Sequence, residues 1–107
     1  MKVKIVTFVP AENADILRKA VGDVGAGQIG EYSHCSFTMI GIGRFTPSSN
    51  AKPHIGKANK PEVVHEERVE VVCDRSLAKE VIRVMREAHP YEEVAFDIYP
   101  LIDESDL

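Results

Sequence analysis

This chain has no tryptophan, no pair of cysteines at short spacing and no long apolar run. Its only cysteines, Cys35 and Cys73, stand far apart without a Cys-x-x-Cys, which argues against a zinc ribbon and against a disulfide framework. No apolar stretch is long enough for a membrane span. The start, Met1 to Pro10, is broken by Lys4 and closed by Pro10, so it does not read as a signal peptide. A reducing cytoplasm is the compartment expected. Positive charge is outnumbered: 13 Lys and Arg against 17 Asp and Glu give a net charge of −4, which disfavours nucleic acid as a partner. Acid is absent from one segment. Residues 41 to 61 hold Arg44, Lys52, Lys57 and Lys60 with no Asp or Glu, so that segment carries +4 and the rest −8.

What remains is enough for one compact domain over residues 1–107. Hydrophobic residues make up 44%, which supports a core without disulfides or metal. Val3, Ile5, Thr7 and Val9 alternate with lysines and predict a first strand. Val6 and Phe8 predict that its later half is covered on both faces. Ala14, Leu17, Ala20 and Val21 share a face at helical spacing, predicting a helix over 11–21 that stops at Gly22. Gly25, Gly27 and Gly30 mark a turn. A second strand starts near Tyr32, with Cys35, Phe37 and Met39 on one face and His34, Ser36 and Thr38 on the other. A third strand covers about 63–73, with Val69, Val71 and Cys73 opposed to Arg68 and Glu70. Asp74 or Ser76 is the expected cap of a second helix striped by Leu77, Val81, Val84, Met85 and Ala88. Its stripe is expected to pack on Phe37, Val69 and Phe96. Pro90 ends it, and Val94, Phe96 and Ile98 face inward on a fourth strand. The acidic stretch from Asp103 to Asp106 reads as a solvated tail. The fold class expected is α+β: a ferredoxin-like β-α-β-β-α-β sandwich, four antiparallel strands with two helices on one face. The other face, to which Ile40 and Ile42 are assigned by parity with Thr38, is expected to be buried by another subunit.

Five elements then carry a family resemblance, in order along the chain. They are Gly25-x-Gly27-x-Ile29-Gly30-x-Tyr32-x-x-Cys35-Ser36-Phe37; Gly41-x-Gly43-x-Phe45-x-Pro47; Pro53-x-Ile55-Gly56; Glu66-x-Arg68-Val69-Glu70; and Ala88-His89-Pro90-Tyr91-Glu92 with Asp97-Ile98-Tyr99-Pro100-Leu101. The chain resembles the insert domain of the YqfO-type branch of the NGG-interacting-factor family and its free-standing relatives of about this length. The His-Pro-Tyr-Glu element is also similar to that of CutA proteins. The resemblance implies a PII-like, CutA-like fold and a symmetric homo-oligomer, with a trimer expected. It implies no settled activity. The dinuclear metal site of full-length family members lies on flanking domains that these elements do not include.

The candidate site is the long connection 41–61, where Gly41, Gly43, Pro47, Pro53, Gly56 and Pro61 preclude one continuous strand. Long connections tend to carry function, and this one occupies the place of the loop with which PII-like proteins meet ligands and partners. Arg44, Lys52, His54 and Lys57 are the residues expected to hold a phosphate or carboxylate group. The competing account is a solvated arm packed on a neighbouring subunit. No metal site is expected, because no two of the histidines have metal-ligand spacing. The alternative set, for a CutA-like divalent-metal module with sites between subunits, is His34, His65, His89 and Glu92. His89 is first a turn residue, placed at a helix C-terminus where a cationic ring meets exposed carbonyls. Nucleophilic catalysis finds no support. Cys35 and His34 alternate faces, and Ser33, Ser36, Ser48, Ser49 and Ser76 lie in no nucleophile elbow. No phosphate-loop or cofactor motif occurs, so no cofactor is expected. The function expected is a non-enzymatic, oligomeric domain that binds a small anionic ligand or a protein partner. A remnant of metal-dependent hydrolase activity is the enzymatic alternative.

Overall fold

The computed structural model describes all 107 residues. Four strands, β1 (Lys2–Pro10), β2 (Phe37–Phe45), β3 (Glu62–Asp74) and β4 (Phe96–Pro100), form one sheet in the order β2-β3-β1-β4. Every neighbouring pair is antiparallel. Helix α1 (Ala11–Asp23) follows β1, and α2 (Ala78–Ala88) follows β3 after a 3-10 turn, Arg75–Leu77. This is the ferredoxin-like order expected from the alternation of strand and helix patterns.

One hydrophobic cluster holds the layers together. Val3, Ile5 and Val9 of β1 and Val69, Val71 and Cys73 of β3 meet Ala14, Leu17 and Val21 of α1 and Ala78, Val81 and Met85 of α2. Ala14, Leu17 and Val21 reach it because residues three and four apart share a helix face. Burial of the strand residues at period two tells which sheet face the helices cover. On the opposite face Val6 is also fully buried. Its ladder partners are Glu70 and Asp97, and Glu70 pairs with both Lys4 and Arg68 across that face. Long charged side chains thus cover the middle of the open face with their stems.

Several expectations are corrected. Helix α1 runs through Gly22 to Asp23, and the His34 ring packs on Gly22, where a Cβ would overlap it. Strand β2 begins at Phe37, not near Tyr32. Residues 31–36 are irregular, with His34 in the left-handed region at φ 59°. The two faces of β2 are the reverse of those expected. Thr38 pairs with buried Val69, and its hydroxyl accepts from Arg18 of α1 at 3.2 Å, so Thr38, Ile40 and Ile42 lie on the helix side. Phe37 and Met39 pair with Glu70 and Arg68 on the open side, so Phe37 does not pack under α2. Apolar residues stand on both faces of β2, and the hydrophobic pattern alone therefore had no preferred face to report. Neither Asp74 nor Ser76 caps α2: Asp74 pairs with Lys2, and the 3-10 turn occupies the helix entry. Strand β4 starts at Phe96 rather than Val94, and Ile98 at the sheet edge is exposed.

The β2–β3 ladder outruns the sheet. Strand β1 pairs with β3 only from Glu66 to Asp74, whereas β2 pairs with it from Glu62 to Glu70. The segments 42–45 and 62–65 therefore form a two-stranded arm with no third strand. The radius of gyration is 15.1 Å, against about 13 Å for a compact chain of this length. No helix is long and apolar enough to cross a membrane.

Candidate functional site at the root of the arm

The turn after α2 organises one end of the molecule. His89 precedes Pro90, which disfavours helical backbone, and it is extended at φ −88°, ψ 136°. Its buried ring is used on both sides. Nε2 donates to the Phe8 carbonyl at 2.6 Å, and Nδ1 accepts the Tyr91 backbone N–H at 3.1 Å. That network assigns the neutral tautomer protonated at Nε2. Burial, the largest influence, pushes the His89 pKa below its ordinary value, and nearby His54 adds to the effect. The Phe8 carbonyl and Glu66 oppose it. The cationic ring expected against the helix end is therefore not what forms. A neutral imidazole ties the turn to β1 instead.

Tyr91 stacks beside His89, with ring centroids 4.8 Å apart. Its other neighbours are Phe45, at 6.1 Å and 58°, and His54, at 6.4 Å and 50°. The Tyr91 hydroxyl is buried without a hydrogen-bond partner. Burial first, and the Glu66 carboxylate second, push its pKa up to about 12. Glu66 is near enough to act on the hydroxyl electrostatically but stands outside hydrogen-bonding geometry. The Glu66 carboxylate lies across Gly43, where a Cβ would overlap it. Glycine at 43 is thus what lets a carboxylate cross β2 at this point.

The connection 46–61 folds back over these groups. Pro47 is buried, the Asn59 N–H donates to the Pro47 carbonyl at 2.6 Å, and the Lys52 N–H donates to Glu92 Oε1 at 2.8 Å. Between connection and turn lies a cavity of about 650 Å³, within the usual range for small-molecule sites. Phe8, Phe45, Pro53 and Ile55 supply apolar wall, and Glu66, Glu92 and Glu93 supply negative charge.

Of the residues proposed from sequence, Arg44 and His54 line this cavity, while Lys52 and Lys57 do not. All four are exposed. Arg44 stands opposite Val63 on β3, on the alternate face of the ladder from Glu66. Of the alternative metal set, His89 and Glu92 lie in the turn, His65 faces Ile42 on the arm, and His34 sits at the far end of α1. There His34 Nε2 meets Asp23 Oδ1 at 2.9 Å and Nδ1 meets Ser33 Oγ at 3.0 Å. Asp23 is held below the usual carboxylate range by Lys19 first and His34 second. No three His, Cys, Asp or Glu side chains converge as a metal site. Sequence reasoning did not find Glu66 and Tyr91 as partners. The available signal was the alternating Gly41 and Gly43 opposite a glutamate-rich strand.

No family model matches the chain. Among curated proteins it is 52% identical over 98 residues to the GTP cyclohydrolase 1 type 2 homolog of Bacillus subtilis, covering 92% of this chain and 26% of that protein. It therefore spans about a quarter of the length of such relatives. Among solved structures it is similar to a Bacillus cereus protein related to NIF3, at TM-score 0.84 and 46% identity, over 95% of this chain and 26% of the other. It also matches the PII-like protein CutA from Nostoc sp., at TM-score 0.69 and 16% identity, over 100% of this chain and 86% of that one. The last likeness is one of fold alone. In sequence and structure the chain thus corresponds to one segment, about a quarter of the length, of the NIF3-related protein and the cyclohydrolase homolog it resembles, and its fold is like that of CutA.

Proposed function

We propose that residues 1–107 act as one non-catalytic, self-associating domain, assembled as a trimer through the β2–β3 arm. In this reading the connection 46–61 offers its outer basic groups to an anionic ligand or an acidic partner. The observation that carries the assembly is strand β2, from the sheet edge out into the arm. Ile40 and Ile42, 83% and 58% exposed, lie on one face, and Phe37 and Met39, 63% and 44% exposed, lie on the other. An edge strand apolar on both faces cannot bury itself by packing on its own sheet, and its extension as a two-stranded ribbon is marginal in water. Symmetric association of identical chains is the common solution.

Two further observations favour a binding role over catalysis. The imidazoles of His34 and His89 are both held by neighbours on each ring nitrogen. Glu67 and Glu70 are engaged by Arg18, Lys4 and Arg68. The outer basic groups, in contrast, are uncommitted: Arg44, Lys52 and Lys57 enter no ion pair. Light scattering at micromolar concentration tests the assembly. Three times the chain mass is expected, and a monomer mass overturns the reading.

A further inference from the structure

Segment 41–61 is basic in sequence, but the cavity it closes is not. Its carboxylates come from elsewhere, Glu66 from β3 and Glu92 and Glu93 from the turn. Its one arginine, Arg44, belongs to the ladder face opposite Glu66. Lys52 meets the turn through its backbone N–H, and neither Lys52 nor Lys57 lines the cavity.

We propose that this cavity is a binding site for a small organic cation, an ammonium or guanidinium group carried on an apolar body. Glu66 is the counter-ion. Its carboxylate crosses β2 over Gly43, in a position that any side chain at 43 would displace. Beside it are the tilted rings of Phe45 and Tyr91, centroids 6.1 Å apart, with the His54 ring also near Tyr91. Aromatic faces attract a cation, most strongly where water is excluded. The Tyr91 hydroxyl, a buried atom with no hydrogen bond of good geometry, stands beside the same carboxylate. Buried polar atoms in folded proteins are rarely left unpaired. Drawing Glu66 inward onto a bound cation brings an acceptor to that hydroxyl. The remaining apolar wall, Phe8, Pro53 and Ile55, takes the body of the ligand. The carboxylates and rings of this site all come from one chain, although Phe45 and Gly43 stand on the arm through which the chain is proposed to assemble.

Three probes of one size separate the possibilities: phenethylamine, 2-phenylethanol and 3-phenylpropionate, titrated by calorimetry into the intact chain. Phenethylamine is expected to bind at least about tenfold more tightly than either of the others, because it alone combines charge attraction and ring contact. Glu66→Gln is expected to remove that preference. Gly43→Ala tests the same point without touching the carboxylate chemically, and unfolding curves establish that both variants fold. Equal binding of all three probes, tighter binding of 3-phenylpropionate, or no binding at millimolar phenethylamine overturns the proposal. So does dissociation of the oligomer by Glu66→Gln, which would make a lysine or arginine of another copy the natural occupant.

Discussion

His89 Nε2 donates to the Phe8 carbonyl at 2.6 Å, so a side chain at the exit of α2 holds the last residues of β1. That bond together with the one at Nδ1, which accepts the Tyr91 N–H, requires a neutral ring. Protonation would set two donors against each other in a buried place.

A pH dependence follows. The folded pKa of His89 lies below the 6.5 of the free side chain, chiefly through burial. The unfolded chain therefore binds the proton first as pH falls. The contribution of His89 is fully present above pH 6.5, and it is lost as pH drops through that value to the folded pKa. Urea midpoints should decline between pH 7.5 and 5, above the range in which the paired carboxylates titrate. His89→Ala should cost about 1–3 kcal/mol at pH 7.5 through the orphaned carbonyl and amide. It should also flatten the slope in this window. An unchanged slope in the variant would assign the dependence to another group.

The second prediction concerns the core of α2. Met85 is 1% exposed and packs in the same cluster as Val69 and Val81. Met85→Ala should cost about 2–5 kcal/mol in denaturant unfolding, from lost transfer energy and the cavity left behind. A loss below half a kcal/mol would mean that the neighbours collapse into the gap.

These two sites differ in how far sequence alone revealed them. The stripe Val81, Val84, Met85 and the alternation Val69, Val71, Cys73 were legible because each element has one face buried under the other layer. Strand β2 was not. With apolar residues on both faces, its orientation is fixed by pairing to β3, a contact between residues some thirty positions apart. The turn before it was misread as strand because His34 leaves extended backbone to pack on Gly22. The basic groups of 41–61 were visible as a run, but the carboxylates that face the cavity were not. Glu66 and Glu92 reach it only when β3 and the turn converge, with Glu92 bound to Lys52 forty positions away.

The outer basic groups give a third prediction. Exposed charges attract weakly and are screened over about 8 Å at physiological salt. Binding of a multivalent probe such as tripolyphosphate should therefore weaken steeply as salt rises. The double change Lys52→Glu with Lys57→Glu should abolish it. Both side chains are exposed and outside every ion pair, so the unfolding midpoint should stay within about half a kcal/mol of the parent. Parent-like binding by the double variant would leave this segment as a structural arm only.

The last prediction separates assembly from folding. Ile40 is 83% exposed in the isolated chain, so Ile40→Glu should change the unfolding free energy of a monomer by no more than about half a kcal/mol. In an assembly built through β2 and the arm that continues it the same side chain is buried. Covering an isoleucine contributes about 1.5–3 kcal/mol per copy. A glutamate there would forfeit that gain and add the cost of desolvating an unpaired charge. The variant should therefore fold and elute as a monomer at concentrations where the parent is oligomeric. Ile16→Glu is the matched control. Ile16 is 62% exposed on α1, off the buried face of the helix and outside β2 and β3, and its substitution should leave the mass by light scattering unchanged. If both variants keep the parent's mass, the arm is not the assembly surface. If both lose it, the helix side of the molecule shares in the contact and the arm alone does not explain association.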